Sequence, residues 1–263
     1  MAESLKGYVA FITGGTSGLG FEMAKQLLSQ GATVIVAARA GERMENTKKA
    51  LSAFGGFHAV EMDVMDEESV TEAAEWVEST FDHLDMVVSN AGIGRAAPGM
   101  KGLPENHRFY DIPVSTVKIV IGTNLIGHFT VASRFVPIML KQGHGSLIYV
   151  STGASTMTRA GMIPYGPSKA GAEAMCAVME KELQGTGITV NVITPGGFTD
   201  TNLSGEGDLE RHIKNNLPVL PPTVLNKTIS FLASPKSAGI SGEKLSGRDI
   251  DEWLESRGIE FDI

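Results

Sequence analysis

The sequence has little that would suit a secreted, nucleic-acid-binding or zinc-dependent protein. Only one of its 263 residues is a cysteine, Cys176, which excludes an internal disulfide and fits a reducing compartment. Acidic residues outnumber basic ones by 30 to 22 and no basic stripe forms, so nucleic acid is not expected as a partner. The six histidines never recur at i and i+4 and have no cysteine partner, so no metal site is expected.

Long apolar runs are also missing. The N-terminal run ends at Ile12, before the glycines, and is too short for the apolar core of a signal peptide. Nowhere do 18 apolar residues follow one another, so no membrane span is expected. With 42% hydrophobic and 20% charged residues, the sequence predicts a soluble, cytoplasmic, globular protein with one domain over residues 1–263.

The apolar residues that are present fall into two alternating patterns. Short β-branched runs of strand length occupy residues 8–12, 33–38, 57–62, 86–89, 146–150 and 188–193. Segments with a helical period lie between or after them, at residues 20–30, 42–54, 67–81, 115–142 and 165–184. This alternation predicts an α/β fold with a mostly parallel sheet covered by helices on both faces.

Two irregular stretches follow strands and are candidate substrate loops, at about residues 93–113 and 196–220. Ligands of open parallel sheets bind beyond the carboxyl ends of the strands, so long loops at that edge are placed to cover a substrate. Four apolar side chains of the first loop are available to line a pocket: Met100, Leu103, Phe109 and Tyr110.

The segment "TGGTSGLG" joins the first predicted strand to the first predicted helix. Its glycines permit a tight turn and a close approach of the backbone, and the helix start offers N–H groups to a pyrophosphate. The segment therefore predicts a dinucleotide site made by Gly14, Thr16, Ser17, Gly18, Leu19 and Gly20.

Arg39 stands nineteen residues after Gly20, at the end of the second predicted strand. Dinucleotide folds place there the group that contacts the adenosine ribose. A carboxylate would repel a 2′-phosphate, whereas arginine attracts it through charge-assisted bonds. Arg39 therefore favours NADP(H) over NAD(H), and Arg43, one turn further on, is a second candidate.

An ordered set of motifs resembles the short-chain dehydrogenase/reductase family over roughly residues 5–240. Besides the glycine turn, the set comprises "MDV" at 62–64, "SNAG" at 89–92, Asn124 in "GTNLIGHF", "YGPSK" at 165–169 and "PGGFTDT" at 195–201. The resemblance implies a Rossmann-type, doubly wound sheet of seven parallel strands in the order 3-2-1-4-5-6-7. It also implies a nicotinamide cofactor, hydride exchange with an alcohol or carbonyl, and a homodimer or homotetramer built through the helices that hold Asn124 and Tyr165.

The resemblance also implies which residues hold the cofactor. Asp63 would bond the adenine amino group with the Val64 backbone beside it, and the adenosine ribose would be lined by Asn90, Ala91 and Gly92. The last motif would contribute Pro195, Gly196 and a nicotinamide-pocket wall, Phe198. Either Thr199 or Thr201 would touch the nicotinamide amide or the pyrophosphate, because the spacing here exceeds the usual one by a residue.

Tyr165 and Lys169 are the predicted catalytic pair. A tyrosine hydroxyl has an unperturbed pKa of about 10, and a cation at i+4 on the same helical face stabilises the phenolate and lowers that pKa. Tyr165 would then protonate the carbonyl oxygen in reduction, or accept the hydroxyl proton in oxidation. Lys169 would also hold the nicotinamide ribose, and by resemblance Asn124 would hold a water that connects the lysine to solvent.

The sequence departs from the family pattern at two places. Thr152 stands thirteen residues before Tyr165, where the family has a serine that holds the substrate oxygen, and Ser155 is the competing assignment. A C-terminal extension over about residues 241–263 lacks the usual glycine-rich ending, and its Trp253 and Leu254 would pack on the same or on a neighbouring subunit.

The predicted function is an NADP(H)-dependent oxidoreductase that interconverts a small carbonyl compound and a secondary alcohol, working as a reductase. The alternative is a non-catalytic NADP(H)-sensing protein on the same fold, which the intact tyrosine and lysine pair disfavours.

Overall fold

The chain forms nine strands in the described part of a computed structural model, which comprises residues 4–100, 103, 107–201, 203 and 207–263. In chain order they are β1 (Val9–Thr13), β2 (Thr33–Ala38), β3 (Phe57–Glu61), β4 (Met86–Ser89), β5 (Gly145–Val150), β6 (Ile188–Thr194), β7 (Phe198–Thr199), β8 (Val219–Leu220) and β9 (Lys244–Ser246). Seven strands form one parallel sheet in the order β3-β2-β1-β4-β5-β6-β9, while β7 and β8 pair separately. The predicted order of seven parallel strands is confirmed, with β9 as the seventh strand of the sheet.

Helices connect these strands. They are α1 (Gly18–Ser29), α2 (Glu42–Leu51), α3 (Glu67–Thr80), α4 (Val114–Ile121), α5 (Gly127–Gln142), α6 (Ala154–Thr158), α7 (Tyr165–Glu182), α8 (Asp208–Lys214), α9 (Asn226–Ala233) and α10 (Ile250–Ser256). A π-helical segment (Gly122–Ile126) joins α4 to α5, and short 3₁₀ turns occur at Phe109–Asp111, Pro222–Leu225 and Pro235–Ser237.

The sheet is buried on both faces because its strands are apolar at successive positions. In β1, Ala10 and Ile12 pack into one core, against α1, α9 and α10. Val9 and Phe11 point the other way, into a core covered by α3, α5 and α7. This is the arrangement expected of strands that are joined by right-handed helical crossovers.

The C-terminal residues belong to this sheet, although the sequence suggested an extension beyond it. β9 lies within residues 241–263 and pairs in parallel with β6. Leu254 is buried and Trp253 packs against Phe231 of the same chain, with ring centroids 5.8 Å apart. Of the two alternatives for Trp253 and Leu254, the structure has the contact within the chain.

The segment Val114–Gln142 is long and apolar enough to cross a membrane by length and composition alone. In this fold it covers the sheet, and Val131, Phe135 and Met139 are fully buried in the core. Its apolar character is therefore explained by packing against the strands.

The first candidate loop packs differently from the expectation. Met100 and Leu103 join a small core with Ile112 instead of lining an open pocket. Phe109 and Tyr110 contact each other and are 68% and 72% exposed. Residues 101, 102, 104–106, 202 and 204–206 of the two candidate loops lie outside the described residues.

Candidate active site

The glycine turn lies at the carboxyl end of β1, beside β4, where the strand order reverses. Gly14 and Gly18 have φ of +65° and +56°, which glycine adopts without strain. α1 begins at Gly18, its N-cap Ser17 makes no side-chain capping bond, and its first turn carries no acidic residue. The N–H groups of this turn and the positive end of the helix dipole are thus suited to an anion.

Asn90 holds the turn in place. Its amide nitrogen donates to the carbonyl oxygens of Thr13 and Gly14, both at 3.0 Å. A Cβ on Gly20 would lie 2.4 Å from that nitrogen, so a side chain there would displace the bond. The Thr13 hydroxyl accepts hydrogen bonds from the backbone of Asn90 at 3.0 Å and Ala91 at 2.9 Å, which ties β1 to β4.

The remaining turn residues are partly buried. Thr16 and Ser17 lie before α1, and Leu19 packs against the core on one face of the sheet.

Arg39 follows β2 and Arg43 lies on α2, and both are exposed. Neither arginine forms an ion pair with a carboxylate of the described residues, so both guanidinium groups are available to an anion.

Asp63 and Val64 follow β3. An Asp63 carboxylate oxygen accepts a hydrogen bond from the Met65 backbone at 3.0 Å, which turns the chain toward α3. The Val64 side chain is buried in the core, so only its backbone is available to a ligand.

The segment after β6 returns to the glycine turn. Pro195 is buried. Gly196 has a φ of +84°, and a Cβ at this position would lie 2.3 Å from the Ser246 hydroxyl. Thr201 lies over the turn, because a Cβ on Gly18 would be 3.0 Å from its methyl group. Phe198 stacks on His212 with ring centroids 3.8 Å apart, which joins this segment to α8.

Thr199 and Thr201 are the two candidates for the threonine that bonds the cofactor. The Thr199 hydroxyl is buried and has no hydrogen-bond partner in the described part of the chain. An orphaned buried hydroxyl costs free energy unless a ligand satisfies it. Together with the helix start at Gly18, it fits a nicotinamide dinucleotide lying between the glycine turn and β7, and it favours Thr199 as the residue that bonds that ligand.

Thr152 and Tyr165 meet beyond the carboxyl end of β5. Tyr165 is the first residue of α7, and its hydroxyl lies close enough to Thr152 for that side chain to lower its pKa against the effect of burial. Ser155 is exposed on α6, whereas Ser151 is buried with no partner for its hydroxyl in the described residues. Of the three hydroxyls, the structure brings Thr152 to Tyr165.

Lys169 lies one turn along α7 and is only 3% exposed. Its ammonium donates to the Val150 carbonyl at 2.8 Å and lies 5.9 Å from the centre of the Tyr165 ring. Burial lowers the pKa of Lys169 to about 8, while the negative charge of Glu173 acts in the opposite direction. Gly92 borders the same space, because a Cβ there would lie 3.6 Å from the Lys169 nitrogen.

The pKa of Tyr165 differs from the sequence-based expectation. Burial raises it to about 12, and the hydrogen bond with Thr152 opposes that rise. The expected lowering by Lys169 is overcome because burial of the Tyr165 hydroxyl itself disfavours the charged phenolate. Lys169 alone therefore does not bring the Tyr165 proton into the neutral range.

Asn124 is fully buried in the π-helical segment. Its side-chain oxygen accepts from the Ile93 backbone at 2.9 Å, and its nitrogen donates to the Ile93 carbonyl and the Ser168 hydroxyl, both at 2.9 Å. Its carbonyl oxygen accepts from the Tyr149 hydroxyl at 3.0 Å. The Asn124 side chain thus joins the β4 loop to α7.

Three residues of the site were not identified from the sequence. Thr13 ties β1 to β4, Ser168 joins Asn124 to the Tyr165 carbonyl, and Tyr149 contacts both Lys169 and Asn124. The signal available for Ser168 was its place within "YGPSK", next to Lys169. The only signal for Thr13 and Tyr149 was a polar side chain near the end of a strand that is otherwise apolar.

Comparisons with known proteins give matches over nearly the whole chain. Residues 8–211 match the family described as short chain dehydrogenase. A 3-oxoacyl-[acyl-carrier-protein] reductase of Aquifex aeolicus is 30% identical over 251 residues, which cover 92% of this chain and 96% of the relative. A 3-ketoacyl-(acyl-carrier-protein) reductase from Brucella melitensis, solved with NADH, has a TM-score of 0.79 and 25% identity and covers 92% of this chain and 97% of its own. An actinorhodin polyketide ketoreductase variant with NADPH has a TM-score of 0.79 and 25% identity and covers 94% and 97%.

Proposed function

The chain belongs to the short-chain dehydrogenase family of oxidoreductases, and from that premise we propose that it is an NADP(H)-dependent ketoreductase. The observation that carries the proposal is the placement of Thr152 beside the Tyr165 hydroxyl at the carboxyl end of β5, with Lys169 one turn further along α7. These groups provide a proton donor and a second hydrogen-bond donor for one substrate oxygen.

In reduction, Tyr165 gives its proton to the carbonyl oxygen while Thr152 donates a hydrogen bond to the same oxygen. Lys169 stabilises the resulting phenolate through its positive charge, which is present below its pKa of about 8. A bound nicotinamide supplies or accepts the hydride, and its oxidised form adds a positive charge. In oxidation the Tyr165 phenolate accepts the alcohol proton. Asn124 would hold the water that connects Lys169 to solvent, and its side chain fixes the loop after β4 against α7.

The cofactor would lie along the glycine turn. The first turn of α1 would bind the pyrophosphate and Thr199 would bond the pyrophosphate or the nicotinamide amide. Two exposed cations at the end of β2 and on α2, Arg39 and Arg43, would meet a 2′-phosphate. Solved relatives hold either NADH or NADPH, so the preference for NADP(H) depends on these arginines.

For the substrate, we propose an uncharged ketone of moderate size, with 3-oxoacyl thioesters tested first because of the relatives' activity. The test measures NADPH oxidation across a carbonyl panel and NADP⁺ reduction across an alcohol panel, with Tyr165→Phe as the control. Turnover by the parent that is absent from the control is expected. Tight NADPH binding with no turnover in either direction would contradict the proposal and favour the cofactor-sensing alternative.

We also propose a cytoplasmic homodimer or homotetramer. Large apolar side chains are exposed on the helices that hold Asn124 and Tyr165: Ile126 ends the π-helical segment, Phe129 is on α5 and Val178 is on α7, at 51–57% exposure. Association would bury them. Light scattering should give a multiple of 27.9 kDa, reduced by Phe129→Glu but not by Phe109→Glu on the exposed loop. A monomeric parent would contradict this.

A further inference from the structure

A second tyrosine lies behind the catalytic pair. Tyr149 is on β5, three residues before Thr152, and its side chain is 1% exposed between α5 and α7. The Lys169 ammonium lies 4.7 Å from the centre of its ring. A cation within about 6 Å of an aromatic ring centre is attracted to the ring face, and this attraction is strongest where water is excluded.

The hydroxyl of the same residue has a different partner. It donates to the Asn124 carbonyl at 3.0 Å, inside the π-helical segment. In that segment the Gly127 N–H bonds to the Gly122 carbonyl five residues back, so the usual i+4 pairing is interrupted. The Tyr149 hydroxyl thus supports the one irregular turn of the helix that carries Asn124.

A second side chain, His128, also packs against the Tyr149 ring. His128 on α5 packs against it with ring centroids 4.3 Å apart, and the His128 imidazole contacts the Cys176 thiol at 3.2 Å. All three side chains are at most 2% exposed. The orientation of Tyr149 is therefore fixed by packing as well as by its hydrogen bond.

We propose that Tyr149 is a positioning residue for the reaction: its ring keeps Lys169 charged and in place 5.9 Å from the centre of the Tyr165 ring, and its hydroxyl fixes the segment that carries Asn124. This role rests on the proposed function, because Tyr149 would act through the catalytic pair. In the test, only the kinetic measurement depends on that function.

The other groups around Lys169 act differently from the ring. Tyr165, Glu173 and Cys176 are on α7, where the negative charge of Glu173 also raises the pKa of Lys169 while Glu173 is paired with Lys244 at 2.7 Å. His128 faces the cluster from α5, where burial lowers its pKa to about 3 and keeps it neutral. Burial raises the pKa of Cys176 to about 12, so the thiol is also uncharged. The Tyr149 ring is thus the neutral group placed to offset the burial of the ammonium.

The test compares Tyr149→Phe, which keeps the ring and loses the hydroxyl, with Tyr149→Leu, which loses both. The Lys169 pKa is read from ¹³Cε-lysine NMR titration, with Lys169→Arg used to assign the signal. We expect a fall of about one unit in Tyr149→Leu, the size of a desolvated cation–π contact, and less than about 0.3 unit in Tyr149→Phe. The basic limb of the pH profile for reduction should move down by the same amounts, because the pair must be fully protonated.

Hydrogen exchange reads the hydroxyl separately. Both variants should exchange faster at residues 122–126 than the parent, while α3 stays unchanged. A Lys169 pKa in Tyr149→Leu equal to the parent value would overturn the ring's role, and so would an equal fall in both variants. Parental exchange at residues 122–126 in Tyr149→Phe would overturn the hydroxyl's role. Should Tyr149→Leu not fold, Tyr149→Met is titrated in its place. NMR titration and exchange need no turnover, so a failed ketoreductase assay would leave this test intact.

Discussion

Replacing Thr152 with valine separates the shape of its side chain from its hydrogen bond. Valine keeps the branched shape, so the end of β5 should pack as before, but it cannot bond to Tyr165 or to a substrate oxygen. Thr152→Ser is the matched control, since it keeps the hydroxyl and loses the methyl group. Ser155→Ala removes the competing hydroxyl, which is exposed on α6.

Two effects of known size should follow from Thr152→Val. Loss of one donor to the developing oxyanion slows the chemical step by about 10²- to 10³-fold. Thr152 also favours the Tyr165 phenolate by hydrogen bonding, against burial, which raises the Tyr165 pKa to about 12 even with Thr152 present. A hydrogen bond to a charged group contributes about 1.5–3 kcal/mol, so the Tyr165 pKa should rise further by about one to two units.

The assay is single-turnover reduction with NADPH in excess over the enzyme and the fastest ketone of the panel. Deuterium at the transferred position of the cofactor identifies the hydride step by its isotope effect. We expect Thr152→Ser and Ser155→Ala to react within a few-fold of the parent, and Thr152→Val to lose two to three orders of magnitude. Cofactor affinity should stay the same in all three variants.

Two results would refute this reasoning. Hydride transfer by Thr152→Val at the parent rate would remove Thr152 from the site. If Ser155→Ala were the slow variant instead, the thirteen-residue spacing would be the wrong register. In that case the α6 segment would deliver its own hydroxyl to Tyr165 when substrate binds.

The remaining predictions concern the catalytic pair, the cofactor and the core. Tyr165→Phe should abolish turnover with little change in NADPH affinity, whereas Lys169→Ala should impair both. Fluorescence titration measures the affinity, and substantial turnover by Tyr165→Phe would show that another group is the acid. Reduction should slow as the pH rises through about 8, because Lys169 then loses the charge that supports the phenolate. Arg39→Asp should reverse the preference for NADPH over NADH more strongly than Arg43→Asp, and an unchanged affinity ratio would exclude Arg39 from the site. Burial lowers the pKa of His128 from 6.5 to about 3, so the unfolded chain binds an extra proton there and stability should fall as the pH falls from 6.5 to 3, by on the order of 5 kcal/mol. Urea unfolding of His128→Phe should lack this part of the slope, and an unaltered slope would count against it.

Most of the sheet could be predicted because its strands carry their own local signal. The run at Met86–Ser89 is apolar and β-branched, and the strand has the same bounds as the prediction. β9 had no such signal, since Lys244–Ser246 is three residues long and mostly polar. It becomes a strand by pairing with the edge of β6, and only the folded sheet provides that edge.

The site was predictable where its geometry follows from spacing along one element. Tyr165 and Lys169 share a face of α7 because they are four residues apart. Thr152 was assigned from the resemblance to the family, and its role in holding the substrate oxygen stays a prediction. Met100 and Leu103 show what composition leaves open. Their composition suited a pocket wall, but a loop with its own small core satisfies the same composition.

The support behind the pair could not be derived from spacing, because its contacts join distant parts of the chain. Tyr149 and Asn124 are 25 residues apart, Asn124 and Ser168 are 44 apart, and both contacts converge on a single π-helical turn. The local pattern of residues 115–142 favours an uninterrupted helix. The turn is irregular where Asn124 reaches both the loop after β4 and α7, so the placement of Asn124 depends on a distortion that tertiary contacts maintain.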